Sequence, residues 1–186
     1  APFPFILWKA RSEPMKITVC SLNARYIHSS LAPWCLLAGI DRYGDSDLEA
    51  VVVEGTINQP ADELLERLLN TKADVFAFCC YIWNIRLVRT LAYGLKKACP
   101  YAVIVLGGPE ATHRSEELLN SWPVVEYINR GEGEYPFACL MNALLRGEDV
   151  ESVPGLAYRR GGKACIQPPF IASGDPPRPY TAAYDA

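Results

Sequence analysis

The stretch Tyr101-Ala102-Val103-Ile104-Val105-Leu106-Gly107-Gly108-Pro109-Glu110 decides how the rest of the chain is read. An unbroken apolar run, rich in β-branched residues and cut off by Gly-Gly-Pro, is the pattern of a strand buried on both faces that stops at a tight turn. Parallel strands of this kind bind ligands at their carboxyl ends. Glycine there can take positive φ and lets a ligand lie against bare backbone. A turn that only joins strand to helix has the same composition, so the stretch alone leaves both readings open.

Similar apolar runs lie on either side of it. Lys16 to Ser21 reads as strand one, Leu48 to Val53 as strand two, Asp74 to Cys80 as strand three and Val124 to Ile128 as strand five. Helical patterns separate them. Residues 31–38 carry Pro33 in a first turn, and residues 60–70 set Leu64, Leu65, Leu68 and Leu69 opposite Asp62, Glu63, Glu66 and Arg67. Leu87, Leu91 and Leu95 then repeat from an Asn84 N-cap to the stop at Pro100. A polar helix spans about 114–121, and a last one stripes Phe137, Leu140, Met141, Leu144 and Leu145 before ending at Gly147. This alternation predicts an α/β domain over residues 15–150. The expected architecture is a doubly wound five-stranded parallel sheet, flavodoxin-like or Rossmann-like, in the order 2-1-3-4-5, with helices on both faces.

Past Val150 the pattern changes. Leu156 to Arg159 and Ala164 to Ile166 flank a glycine turn as a short hairpin, and the proline-rich residues 168–186 read as a linker to something further along. Residues 1–14 are apolar but short and broken by Pro2 and Pro4, with no charged leader, so neither a membrane span nor a signal peptide is expected. Met15-Lys16-Ile17-Thr18-Val19 looks like a natural start, which makes residues 1–14 an arm, an upstream reading frame or an artificial addition.

Half of the 186 residues are hydrophobic, enough for one sizeable core. A net charge of -3 without a Lys/Arg block leaves no electrostatic footprint for nucleic acid or an anionic membrane. The seven cysteines sit mostly inside apolar runs and form no Cys-x-x-Cys, which points to structural thiols in a reducing, cytoplasmic setting. With two histidines, His28 and His113, a zinc site is not expected.

The candidate site loops are those that follow the strands: residues 23–29, 81–84, 107–110 and 131–134. There is no Gly-x-x-x-x-Gly-Lys, and Gly131-x-Gly133-x-x-Pro136 fails the dinucleotide fingerprint at its third glycine and lies after the wrong strand. The aspartates that a response regulator needs after strands one and three are missing. Glu132 and Glu134 could form an acid/base pair, although carboxylates at a helix start more often complement its dipole. Tyr81 and Trp83, with Tyr26, would line a broad apolar floor for a large flat ligand, or pack at the sheet edge.

Four segments carry a family resemblance: the Asn23-Ala24-Arg25-Tyr26 loop, Tyr81-Ile82-Trp83-Asn84, Gly107-Gly108-Pro109-Glu110, and Arg130-Gly131-Glu132-Gly133-Glu134. Together they resemble the N-terminal cobalamin (B12)-binding domain of B12-dependent radical SAM proteins, over roughly Met15 to Gly147. The resemblance implies a corrinoid lying across the carboxyl ends of the strands, with Asn23, Arg25, Tyr26, Pro109 and Glu110 among the residues around it. Tyr81, Ile82, Trp83 and Asn84 would face the lower side of the corrin. Gly107 and Gly108 would give the nucleotide tail room, and Gly131, Glu132 and Gly133 would border it. The Asp-x-His-x-x-Gly signature is absent, since Asp41-Arg42-Tyr43-Gly44 does not supply it, so binding without a histidine on cobalt is implied. No Cys-x-x-x-Cys-x-x-Cys occurs either. S-adenosylmethionine and a 4Fe-4S cluster would therefore belong to a downstream radical SAM domain in cis, and methyl or alkyl transfer to the full-length protein. A scaffold domain that docks without a cofactor and a flavin-binding module are the alternatives.

Overall fold

The computed structural model describes residues 13–25 and 30–179. In it the strands β1 (Met15–Asn23), β2 (Leu48–Thr56), β3 (Val75–Cys79), β4 (Val103–Gly107) and β5 (Tyr127–Asn129) run parallel in the order 2-1-3-4-5, as the alternation predicts. Period-two alternation divides the core in two. Ile17, Val19, Val75, Ala77, Val103 and Val105 face the helices α1 (Leu31–Tyr43) and α6 (Glu134–Arg146). Cys20, Leu22, Phe76, Phe78, Ile104 and Leu106 face α2 (Ala61–Asn70), α3 (Ile85–Ala98) and α5 (Ser115–Ser121).

The polar helix expected over about 114–121 is α5; a short α4 (Pro109–His113) precedes it, and Arg114, at φ -109° between the two, has its guanidinium held by Glu110 and Glu117. Two local expectations are corrected. The fifth strand starts later than Val124, because the Glu126 carboxylate takes the Ile104 N–H at 2.7 Å and pairs with Lys96. The hairpin is not a separate appendage. Its strands β6 (Leu156–Arg160) and β7 (Lys163–Ile166) add antiparallel to β5 and extend the sheet to seven strands. The Arg159 guanidinium fastens this edge by donating to the carbonyls of Leu119, Pro123 and Val125. Among the described residues no helix is long and apolar enough to cross a membrane.

Candidate functional site

The carboxyl ends of the parallel strands meet in one rung. Ser21 of β1 is in register with Cys79 of β3, and Cys79 with Gly107 of β4. A Cβ added to Gly107 would point to Asn129, at the end of β5, with that residue's O at 3.8 Å and Cβ at 3.9 Å. By strand parity these positions face α1 and α6. Because Gly107 has no side chain, a cavity of ≈ 200 Å³ opens between the rung and those helices. Ala77, Cys79 and Val105 line its sheet side, Cys35 and Leu36 the α1 side, and Phe137 the α6 side. An apolar cavity of about 150 Å³ accepts a benzene ring, so this one has the size for an aromatic ring system.

Its walls are fixed by backbone conformations that only glycine takes without strain. Gly108 has φ +91°, with the carbonyl of Cys80 only 2.7 Å from where a Cβ would stand. That approach lets the Cys80 N–H reach the Gly107 carbonyl at 2.7 Å, closing the turn into α4. Gly131 has φ +86°, and a Cβ there would lie 2.2 Å from the carbonyl oxygen of Phe170. The tail after the hairpin crosses this loop as a strand-like strap: Phe170 N–H donates to Arg130 O, Glu132 N–H to Phe170 O, and Ala172 N–H to the Glu132 carboxylate. Glu132 therefore holds the tail, while Glu134 sits in the first turn of α6 beside Cys35, so the two do not form an acid/base pair.

The loop after β3 forms a second part of the rim. Tyr81 and Trp83 stack with ring centroids 4.6 Å apart and planes 3° from parallel, and the Trp83 indole N–H donates to Leu22 O at 3.3 Å. Ile82 stands 78% exposed and Trp83 47%. Asn84 occupies the N-cap position of α3 but makes no capping bond, a correction to the expected role. Its amide donates to the carbonyls of Leu22 at 3.1 Å and Cys79 at 2.9 Å, and its oxygen accepts from the Tyr81 N–H at 2.8 Å. Asn84 thus stitches β1 to β3 beneath the aromatic pair, fully buried.

The other expected site residues are spread along the rim. Asn23 donates to Glu54, Arg25 is exposed, Pro109 is the first residue of α4, and Glu110 pairs with Arg114 at 2.7 Å. Gly133 lines the cavity with Gly131 and Glu132. Tyr26 and His28 lie outside the described residues. Burial pushes the Cys79 thiol, which lines the cavity, up to about 12, and raises Cys20 and Cys80 in the core on the other face of the sheet as well, so all three are unreactive packing residues. All seven cysteines are unpaired. No cluster of His, Cys, Asp or Glu able to hold a metal occurs among the described residues.

Asn129, Cys35, Leu36 and Phe137 were not legible as site residues. For Asn129 a signal existed: it is the polar residue that ends β5, at the carboxyl edge where ligands bind. Its side chain is buried, yet neither its Oδ1 nor its Nδ2 has a hydrogen-bond partner among the described residues.

A doubly wound sheet with a glycine-floored cavity at its carboxyl rim defines a cofactor-holding α/β module. The comparisons then specify which one. Residues 18–141 match the model of the B12 binding domain, and the chain belongs to that family. It is 32% identical over 121 residues to the cobalamin-dependent radical SAM methyltransferase TokK of Streptomyces tokunonensis, covering 64% of this chain and 17% of that protein. It is 35% identical over 95 residues to the 2-(S-pantetheinyl)-carbapenam-3-carboxylate methyltransferase of Streptantibioticus cattleyicolor, covering 50% of this chain and 14% of that one. The chain thus spans less than a fifth of these relatives. In fold it is similar to the radical S-adenosylmethionine methyltransferase TsrM from Kitasatospora setae with cobalamin and a [4Fe-4S] cluster bound. That match has a TM-score of 0.70 at 17% identity and covers 89% of this chain and 30% of TsrM. It is also similar to the radical enzyme OxsB with aqua-cobalamin bound, with a TM-score of 0.72 at 15% identity, over 86% of this chain and 23% of that one.

Proposed function

We propose that this chain is the cobalamin-holding module of a larger radical SAM enzyme that transfers a methyl or other alkyl group. The observation that carries the reading is the cavity at the ends of β3, β4 and β5, of a size for an aromatic base and open at the rim. The residues fit the cofactor. Bare backbone at Gly107 leaves room for the nucleotide tail, Gly131, Glu132 and Gly133 border it, and Asn129 brings polar atoms in need of partners. The stacked Tyr81 and Trp83, with Ile82, give the corrin a flat apolar floor, and Asn84 braces that floor from below. When bound, cobalamin supplies a cobalt centre able to carry an alkyl group. This chain's part is to seat and orient it with no histidine placed on the metal. Family membership favours a corrinoid over a flavin.

The radical SAM domain, with its S-adenosylmethionine and 4Fe-4S cluster, lies beyond the strap in the same polypeptide, and the proline-rich tail is the linker to it. Seven unpaired thiols support a cytoplasmic setting. The test is a visible-absorbance titration of the chain with hydroxocobalamin. A saturable spectral shift at one equivalent is expected, and Gly107→Leu, whose side chain enters the cavity, should weaken binding about 100-fold. An aromatic group of about 150 Å² buried at ~25 cal/mol/Å² is worth up to ~4 kcal/mol, of which about 2.8 kcal/mol corresponds to that factor. No shift with the wild-type chain would refute the reading.

A further inference from the structure

The carboxamide of Asn129 poses a physical problem. Its residue is 5% exposed, it lines the cavity, and both its polar atoms lack a partner among the described residues. Buried amide groups are ordinarily satisfied, and leaving both ends unpaired costs stability. Its neighbours in the sheet are the backbone of Gly107 on β4, with the Cys79 side chain beyond it, and Leu156 on β6, and none of them gives the carboxamide a hydrogen-bond partner. Cys79 and Val105 give the same cavity no competing polar side chain from the sheet. An unmet donor and acceptor at the strand end of a largely apolar slot, whose other polar lining is Tyr81, Glu132 and Glu134, are what a ligand with a polar edge would complete.

We infer that Asn129 is a specificity-determining residue for the nucleotide tail of the corrinoid, donating through Nδ2 and accepting through Oδ1 at the tail's polar edge once the tail enters the cavity. This rests on the cobalamin reading above and adds a named residue and a discrimination. A site built to hydrogen-bond a ligand rejects the analogue that lacks the bonding group, because its own polar atoms are then left unpaired. The chain should therefore favour cobalamin over cobinamide, which has the same corrin but no nucleotide.

The experiment titrates the wild-type chain and Asn129→Leu with hydroxocobalamin and with dicyanocobinamide, and follows the thermal unfolding of each without corrinoid. The wild type is expected to bind cobalamin at least tenfold more tightly than cobinamide. Asn129→Leu should lose roughly 5- to 150-fold for cobalamin, the worth of its two hydrogen bonds, and nothing for cobinamide. The same variant should melt a few degrees higher, because an unpaired buried amide has been replaced by an apolar group of similar size. Higher stability combined with selective loss of affinity is a signature that a structural residue would not produce. If the wild type prefers cobalamin and Asn129→Leu keeps that preference, the role of Asn129 is overturned and the cobalamin reading stands. If the wild type binds both corrinoids equally, the tail does not use the cavity and the inference fails. Binding of neither overturns the functional reading and the inference together.

Discussion

Replacing Asn84 with alanine should destabilise the chain without acting directly on a ligand. The carboxamide makes three hydrogen bonds to backbone groups at the ends of β1 and β3 and in the loop that follows. The Leu22 carbonyl would keep the Trp83 indole as a partner, while the Tyr81 N–H would lose its acceptor. One buried donor left unsatisfied costs about 1–3 kcal/mol and each of the two lost bonds to carbonyls about 0.5–1.5 kcal/mol, so the loss is about 3 kcal/mol, or roughly 6–12 °C in melting temperature for a chain of this size. Asn84→Asp should be no better: it keeps an acceptor for Tyr81 but points a carboxylate at two carbonyl oxygens. Urea unfolding followed by circular dichroism measures the change. A loss below about 1 kcal/mol, or an unchanged midpoint with weakened corrinoid binding, would refute the bracing role and return Asn84 to the ligand.

Two further outcomes are expected. Gly131→Ala places a methyl group 2.2 Å from the Phe170 oxygen on a backbone at φ +86°, so the strap over residues 170–172 should detach. Amide exchange at Glu132 and Phe170 should quicken by about 100-fold and protease cleavage in residues 171–175 should accelerate, while the sheet keeps its protection; unchanged exchange at those two amides would contradict the strap. The thiol of Cys79 is raised from 9.0 to about 12 by burial, with Cys35 adding to the shift. A group whose folded pKa is raised contributes stability that is complete below the unfolded value and is lost as pH climbs through the folded one. The loss should therefore begin near pH 9 and reach about 2 kcal/mol by about pH 10.5. Cys79→Ala should lose correspondingly less stability than the wild type over that interval in urea titrations, and parallel curves would show the thiol is not the source.

How much of this could be read from the sequence depends on whether the relevant physics is local. Val103 to Leu106, Val75 to Cys79 and the Leu64/Leu68 stripe declare their burial by composition and period, and so the order 2-1-3-4-5 and the loops that share its carboxyl rim were legible. The attachment of the hairpin to β5 was not, because Leu156, Ala157 and Tyr158 form a short apolar run that suits any sheet edge; pairing with Asn129, Ile128 and Tyr127 is set by tertiary neighbours. The two asparagines state the limit most clearly. Asn84 and Asn129 each follow an apolar run near the end of a parallel strand, and sequence position favours the first as cap or ligand contact and passes over the second. In the fold, Asn84 meets two strand-end carbonyls and a loop N–H, so its hydrogen bonds are spent within the protein. Asn129 meets a glycine with no side chain, and its hydrogen bonds stay open toward a cavity. An amide's role follows from which groups reach it across the sheet, and for Asn129 it is the absence of a side chain at Gly107, on the neighbouring strand, that turns a buried polar residue toward a ligand.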